Sequence, residues 1–168
     1  MTRNGRIRFS LATGLALLLA ATAHSHAAPP QSFSGPFVDT SAYLQSDAHI
    51  DAWYGMTWAL KRNFDEICGD TFCEGEFSNI ESLRYRCSVH RVSGRIGSCV
   101  WVFAASNEEI EPATGKIGVQ EGFWHCRTPL PAYTTIEELL TALAGEQPLY
   151  ATLPGSSRSI FDGLIDCL

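Results

Sequence analysis

From Asp47 onward, apolar residues recur at steps of three and four: Ile50, Trp53, Tyr54, Trp58, Leu60, Phe64 and Ile67. That period marks one face of an amphipathic helix. Ser46 or Asp47 supplies an N-cap and Gly69 a stop, so the spacing predicts a helix of about five turns. Its Trp/Tyr face is expected to lie in the core.

The period then changes to two. Apolar and polar residues alternate strictly from Leu83 to His90, as in a half-buried strand. Arg91-Val92-Ser93-Gly94-Arg95 fits a three-residue hairpin loop in which Gly94 takes the positive φ. Pairing Arg91 with Arg95 sets Val89 opposite Gly97, Cys87 opposite Cys99, Tyr85 opposite Trp101 and Leu83 opposite Phe103. A slip of one residue would destroy that match. Val100 and Val102 alternate with Trp101 and Phe103, so the second strand is apolar on both faces and belongs at the centre of the sheet. A second turn, Pro112-Ala113-Thr114-Gly115-Lys116, leads to a third strand within Ile117 to Arg127. Asn107-Glu108-Glu109 offers a place for a bulge, which leaves that strand's register open.

Helical signals return near the C-terminus. Thr134 with Glu137, or Thr135 with Glu138, makes a capping box ahead of Leu139, Leu140 and Leu143, and Gly145 and Pro148 close the helix. Ser159 and Asp162 cap a last short helix that ends near Cys167. The expected fold is therefore α+β: a long N-terminal helix packed on a three-stranded antiparallel β-meander, followed by one or two short C-terminal helices. Residues 47–168 form this single domain. Residues 28–46, which contain Pro, Ser and Gly with no clear period, read as a flexible N-terminal arm lying on it.

Residues 1–27 have the layout of a cleavable secretory signal: a basic start (Arg3, Arg6, Arg8), an apolar run from Phe9 to Ala23, and small-x-small endings at Ala21–Ala23 and Ser25–Ala27. The run is short and wrongly flanked for a membrane span, so no stable insertion is expected after cleavage. Cleavage changes the charge balance. The chain has 12 Lys+Arg and 18 Asp+Glu; without the three signal arginines, nine face 18, a net charge of about −9. Nine scattered cations argue against nucleic acid, whose phosphates need a clustered basic surface.

Export also places all six cysteines in an oxidising compartment, where an even number points to disulfides. Cys87 and Cys99 face each other across the inferred hairpin, at a separation that suits a bond. Cys68 and Cys73 enclose a short loop at the helix end. Cys126 and Cys167 remain, and their bond would tie the C-terminus to the sheet. A zinc site lacks its paired C-x₂-C spacing. Asp70 to Glu81 partly matches a calcium loop, with Glu74, Gly75, Ser78 and Glu81 in place. Phe72 stands where an oxygen ligand is required, and a strand follows where the exiting helix belongs. The segment reads as an acidic connecting loop, and no metal or cofactor is expected.

Candidate catalytic groups are sparse. His90 and His125 have no nucleophile elbow near them, and all six cysteines are assigned to bonds. The adjacent pairs Asp65/Glu66, Glu108/Glu109 and Glu137/Glu138 diverge on any helix or strand. The expected function is therefore that of an exported, periplasmic, non-enzymatic binding protein of inhibitor, immunity or envelope-factor type. It would recognise another protein through Glu74, Glu76, Glu108, Glu109 and Glu111. The alternative is a small hydrolase or lyase in which Glu74, Glu76, His90 and His125 converge.

Overall fold

The computed structural model describes residues 35–168. The expected signal, residues 1–27, and the first part of the arm lie outside the described residues. The elements run β1 (Phe37–Asp39), α1 (Thr40–Tyr43), α2 (Asp47–Ile67), β2 (Glu81–His90), β3 (Ile96–Ile110), β4 (Ile117–Arg127), α3 (Ile136–Ala142) and α4 (Ile160–Ile165). The architecture is α+β, as expected, but the sheet has four antiparallel strands in the order β1-β2-β3-β4. The strand missed in the sequence is β1. It pairs Phe37 with His90, Val38 with Val89 and Asp39 with Ser88. Residues 37–43 are thus a strand and a helical turn, not a flexible arm; three strand residues are too few to show a period.

Helix α2 begins where its cap predicts, with the Ser46 hydroxyl accepting from the His49 amide. It widens into a π-helical turn over Cys68–Phe72. Its buried residues are Trp53, Met56, Ala59, Leu60, Asn63 and Phe64. Tyr54 and Trp58, expected in the core, are instead 58% and 64% exposed. Residues advance about 100° each around a helix, so Trp53, Met56, Leu60 and Phe64 make one stripe and Tyr54 and Trp58 the next. Met56 and Ala59 complete the core stripe in their place. Phe64 then packs on Phe103, Trp101 and Phe72, with ring centroids 4.7, 5.8 and 5.9 Å away. These aromatic residues lie at the centre of one hydrophobic core.

The β2–β3 register holds in its middle: Tyr85 faces Trp101 and Cys87 faces Cys99. It departs from expectation at both ends, where the strands bulge. Ser82, not Leu83, takes the place opposite Phe103, and Leu83 turns outward. The Trp101 indole N–H, buried beneath α2, donates to the Ser82 hydroxyl at 2.8 Å. A buried indole needs such an acceptor, which Leu83 cannot supply. At the other end Val89 faces Ile96 instead of Gly97. Gly94 has φ 67° in the hairpin loop, and a Cβ there would lie 2.7 Å from the Tyr43 hydroxyl. The β3–β4 ladder runs without a bulge from Val100–Arg127 to Ile110–Ile117, so Asn107 to Glu109 stay in register.

Helix α3 starts on the Thr135/Glu138 capping box and α4 on the matching Ser159/Asp162 box. The three disulfides are Cys68–Cys73, Cys87–Cys99 and Cys126–Cys167. The first closes the end of α2, the second crosses β2–β3, and the third ties the C-terminal helix to β4. Core residues of the sheet, such as Tyr85, Trp101, Phe103 and Cys126, all face the helices.

Candidate functional site: the open edge of β2

Strand β1 covers β2 only from Ser88 to His90. Among the described residues no strand lies beside Glu81–Arg86, so this length of β2 is an open sheet edge. The Cys87 carbonyl accepts from the Thr40 hydroxyl at 3.1 Å, which shows that the Cys87 backbone faces this edge. With a strand period of two, the Tyr85 backbone N–H and C=O face the same way. A polypeptide laid along this edge would find hydrogen-bonding groups already fixed in position.

Helix α2 forms the opposite wall. Tyr54, Thr57, Trp58 and Lys61 look across at Ser82 to Arg86, enclosing a groove of about 520 Å³. Trp53, Tyr85 and Trp101 form its floor, while Asp39 and Ser41 close one end. The aromatic stripe displaced from the core therefore lines this groove. Leu83, pushed out by the bulge and 57% exposed, adds an apolar contact from the strand side. The Arg62 guanidinium sits over the Trp58 ring, 4.9 Å from its centroid, and holds the indole against the helix.

The charges around the groove are mostly neutralised. Arg86 donates through Nε to Asp39 at 2.7 Å. Burial pushes the Asp39 carboxyl up, but hydrogen bonds from the Ser41 hydroxyl and amide, together with Arg86, outweigh it. The carboxyl is held below its ordinary value. Lys61 lies between Glu81 at 3.1 Å and Asp65 at 3.4 Å. Partial burial lowers its pKa, yet these two carboxylates raise it further, so the ammonium stays charged. Burial pushes the Tyr85 phenol up strongly. Its hydroxyl shares a 3.0 Å hydrogen bond with Thr128 and is a neutral structural group. Among the described residues Arg84 has no acidic partner within 4 Å and is the free cation of the rim.

The acidic residues singled out from the sequence lie at the end of the sheet away from the β2–β3 loop. Glu108 and Glu109 face Val119 and Gly118 near the tip of the β3–β4 hairpin, and Glu111 accepts from Thr114 in its turn. Glu76 joins them by accepting from Gln120 at 2.8 Å. Glu74 is exposed on the same 73–80 loop. His90 is elsewhere, sharing a hydrogen bond with Ser93 and edged by Phe37. The His90 amide bonds to Arg95, whereas His125 faces Val102, seven residues further along β3. At ~3.3 Å per residue the two histidines are about 23 Å apart along the sheet. The structure does not bring Glu74, Glu76, His90 and His125 to one site. Among the described residues no three His, Cys, Asp or Glu side chains are grouped as a metal site requires.

The groove residues Tyr54, Trp58, Leu83 and Arg84 were not legible as a site. Each has an ordinary explanation in the sequence pattern, and only the shortness of β1 exposes them together. The chain matches no protein-family model, no characterised protein and no solved structure.

Proposed function

We propose that this protein is an exported, non-enzymatic recognition domain that binds another protein by receiving one of its extended segments along the open edge of β2. The observation that carries this reading is the unpaired length Glu81–Arg86 facing exposed Tyr54 and Trp58. Exposed edges are ordinarily shortened, bulged or charged to prevent indiscriminate pairing. Here the bulge at Leu83 and the cations Arg84 and Arg86 restrict the edge without covering it. Backbone pairing at Tyr85 would supply affinity, while contacts with Trp58, Tyr54 and Leu83 would supply specificity. The acidic end, with Glu74, Glu76, Glu108, Glu109 and Glu111, would steer a partner that carries basic charge.

Three disulfides support an oxidising compartment, and among the described residues no helix is long and apolar enough to cross a membrane. An inhibitor, an immunity protein or an envelope factor would all fit this description. The test is capture of partners from periplasmic extract by the mature chain and by its Trp58→Ala/Leu83→Asp variant. Hydrogen exchange is then followed on the recovered complex. The wild type alone should retain a specific partner, with the Tyr85 amide protected in the complex. Equal capture by the variant, or an unchanged Tyr85 amide, would rule out the groove.

A further inference from the structure

The sheet face turned away from the helices has a second property, carried mainly by β3 and β4. Strict alternation places Val100, Val102, Ala104, Ser106, Glu108 and Ile110 of β3 on that face. Opposite them on β4 stand Arg127, His125, Phe123, Glu121, Val119 and Ile117 in turn. On the other side of β3, Arg86 flanks Val100 and Arg84 flanks Val102. None of these residues belongs to the core, and at one of them, Ser106, the Asn79 side chain donates to the hydroxyl at 3.4 Å.

The charges on this face are ordered. Moving from Val100 to Ile110, the first two rows carry Arg127 and His125 on β4 and Arg84 on β2, while Arg86 is already paired with Asp39. The middle row is apolar on β3 and β4, Ala104 beside Phe123, and Phe123 is 61% exposed; Glu81 of β2, which flanks Ala104, is paired with Lys61. The next two rows carry Glu121 and Glu108. Arg127, Glu108 and Glu121 have no ion-pair partner within 4 Å among the described residues. Basic and acidic rows are thus equally spaced on either side of Phe123.

From this symmetry we infer that the face binds a second copy of this chain. A two-fold axis parallel to the sheet and between the two faces, perpendicular to the strands and level with Ala104 and Phe123, reverses the strand direction. It therefore lays the row of Val102 over that of Ser106 and the row of Val100 over that of Glu108. His125 of one copy then meets Glu121 of the other, and Arg127 reaches Glu121 and Glu108. The two Phe123 rings meet on the axis. On β3 and β4 every charged row faces its opposite, and the same contact forms twice. A parallel arrangement would instead stack like on like.

The size of the face sets the strength. Ten residue steps of ~3.3 Å along β3 and β4, with β2 beside four of them and strands ~4.8 Å apart, give about 400 Å² per copy, or roughly 800 Å² in total, the size of a weak, transient contact. The pair is therefore a weak, reversible dimer, formed at high concentration and weakened by salt.

The test uses analytical ultracentrifugation of the mature chain and two double variants that leave the groove untouched, His125→Glu/Arg127→Glu and Glu108→Lys/Glu121→Lys. The wild type should dimerise reversibly, with a dissociation constant roughly tenfold weaker in 0.5 M salt. Each variant alone should be monomeric, with a wild-type circular dichroism spectrum. An equimolar mixture of the two should recover the dimer, because the β3–β4 face of one is then acidic and that of the other basic. A wild type that stays monomeric at millimolar concentration overturns the inference. So does dimerisation of either variant alone, or a mixture of two folded variants that fails to associate.

Discussion

Cys87 and Cys99 stand directly opposite each other in β2 and β3, their Cα atoms 4.0 Å apart and their sulfurs joined. The bond lies on the core face beside Tyr85 and Trp101, so it pins the register from which the rest of the hairpin is counted. It closes a short loop, 12 residues apart in sequence, and should contribute about 2–3 kcal/mol by restricting the unfolded chain. Replacing both cysteines with Ala should lower the melting temperature by roughly 5–10 °C and leave the fold intact. Calorimetry together with peptide mapping under non-reducing conditions checks both points. A Cys87 linked to any other cysteine would overturn the register.

Trp53 and Trp58 separate the two stripes of α2. Trp53 is buried against Tyr85, with ring centroids 6.0 Å apart, and Trp58 faces the groove. Trp53→Ala should cost about 3–5 kcal/mol through lost burial and the cavity left behind. Trp58→Ala should stay within about 0.5 kcal/mol of the wild type, because its site is largely solvated. Urea denaturation of both variants measures the difference. Equal losses would mean that Trp58 is a core residue after all.

What the sequence made legible follows from how local each signal is. The caps at Ser46, Thr135 and Ser159 are read within one turn, and all three are present. The Cys87–Cys99 pairing needed only a Gly94 turn and an unbroken alternation. Leu83 was misplaced because a distant requirement, an acceptor for the Trp101 indole, recruits Ser82 and bulges the strand. Strand β1 was missed because three residues carry no period, and its partner lies some fifty residues away. The groove depends on both of these non-local facts, so no local pattern marks it. The acidic cluster Glu108, Glu109 and Glu111 was visible as composition, but its neighbour Glu76 arrives through Gln120, a tertiary contact.

Asp39 gives the β1–α1 segment a pH dependence. Its carboxylate caps α1 through the Ser41 amide at 3.0 Å and pairs with Arg86. Its pKa lies below the ordinary value in the folded protein. A depressed carboxylate pKa means that its stabilisation is complete above the unfolded-state pKa and is lost as pH falls through the lower, folded value. Asp39→Asn keeps a competent cap and removes only the charge. The variant should be less stable than the wild type at neutral pH, and the two should converge in strong acid. Denaturant melts from pH 7 to pH 2 measure this, and a constant difference across the range would exclude the charge as the cause.

Asn63 offers the sharpest electrostatic test, because it is a polar residue sealed in the face that α2 turns to the core. It is 1% exposed, and its Nδ2 donates to the Glu146 carbonyl at 3.1 Å. Among the described residues its Oδ1 has no partner. Asn63→Asp changes little in shape but points a carboxylate at the Glu146 carbonyl oxygen, which Arg62 Nη2 already bonds at 3.1 Å. Burial of the unpaired charge would raise the new carboxyl's pKa in the folded state. A raised pKa means that the folded protein binds the proton more tightly, so the variant should lose stability as pH rises above about 4. Below that range the protonated carboxyl can donate to Glu146, and most of the wild-type stability should return. Asn63→Leu removes the hydrogen bond without adding a charge, so its loss should not vary with pH in this way. Thermal melts of the two variants between pH 3 and pH 8 distinguish these outcomes. A flat profile for Asn63→Asp would show that water or Arg62 reaches the site and that the α2–Glu146 contact is open.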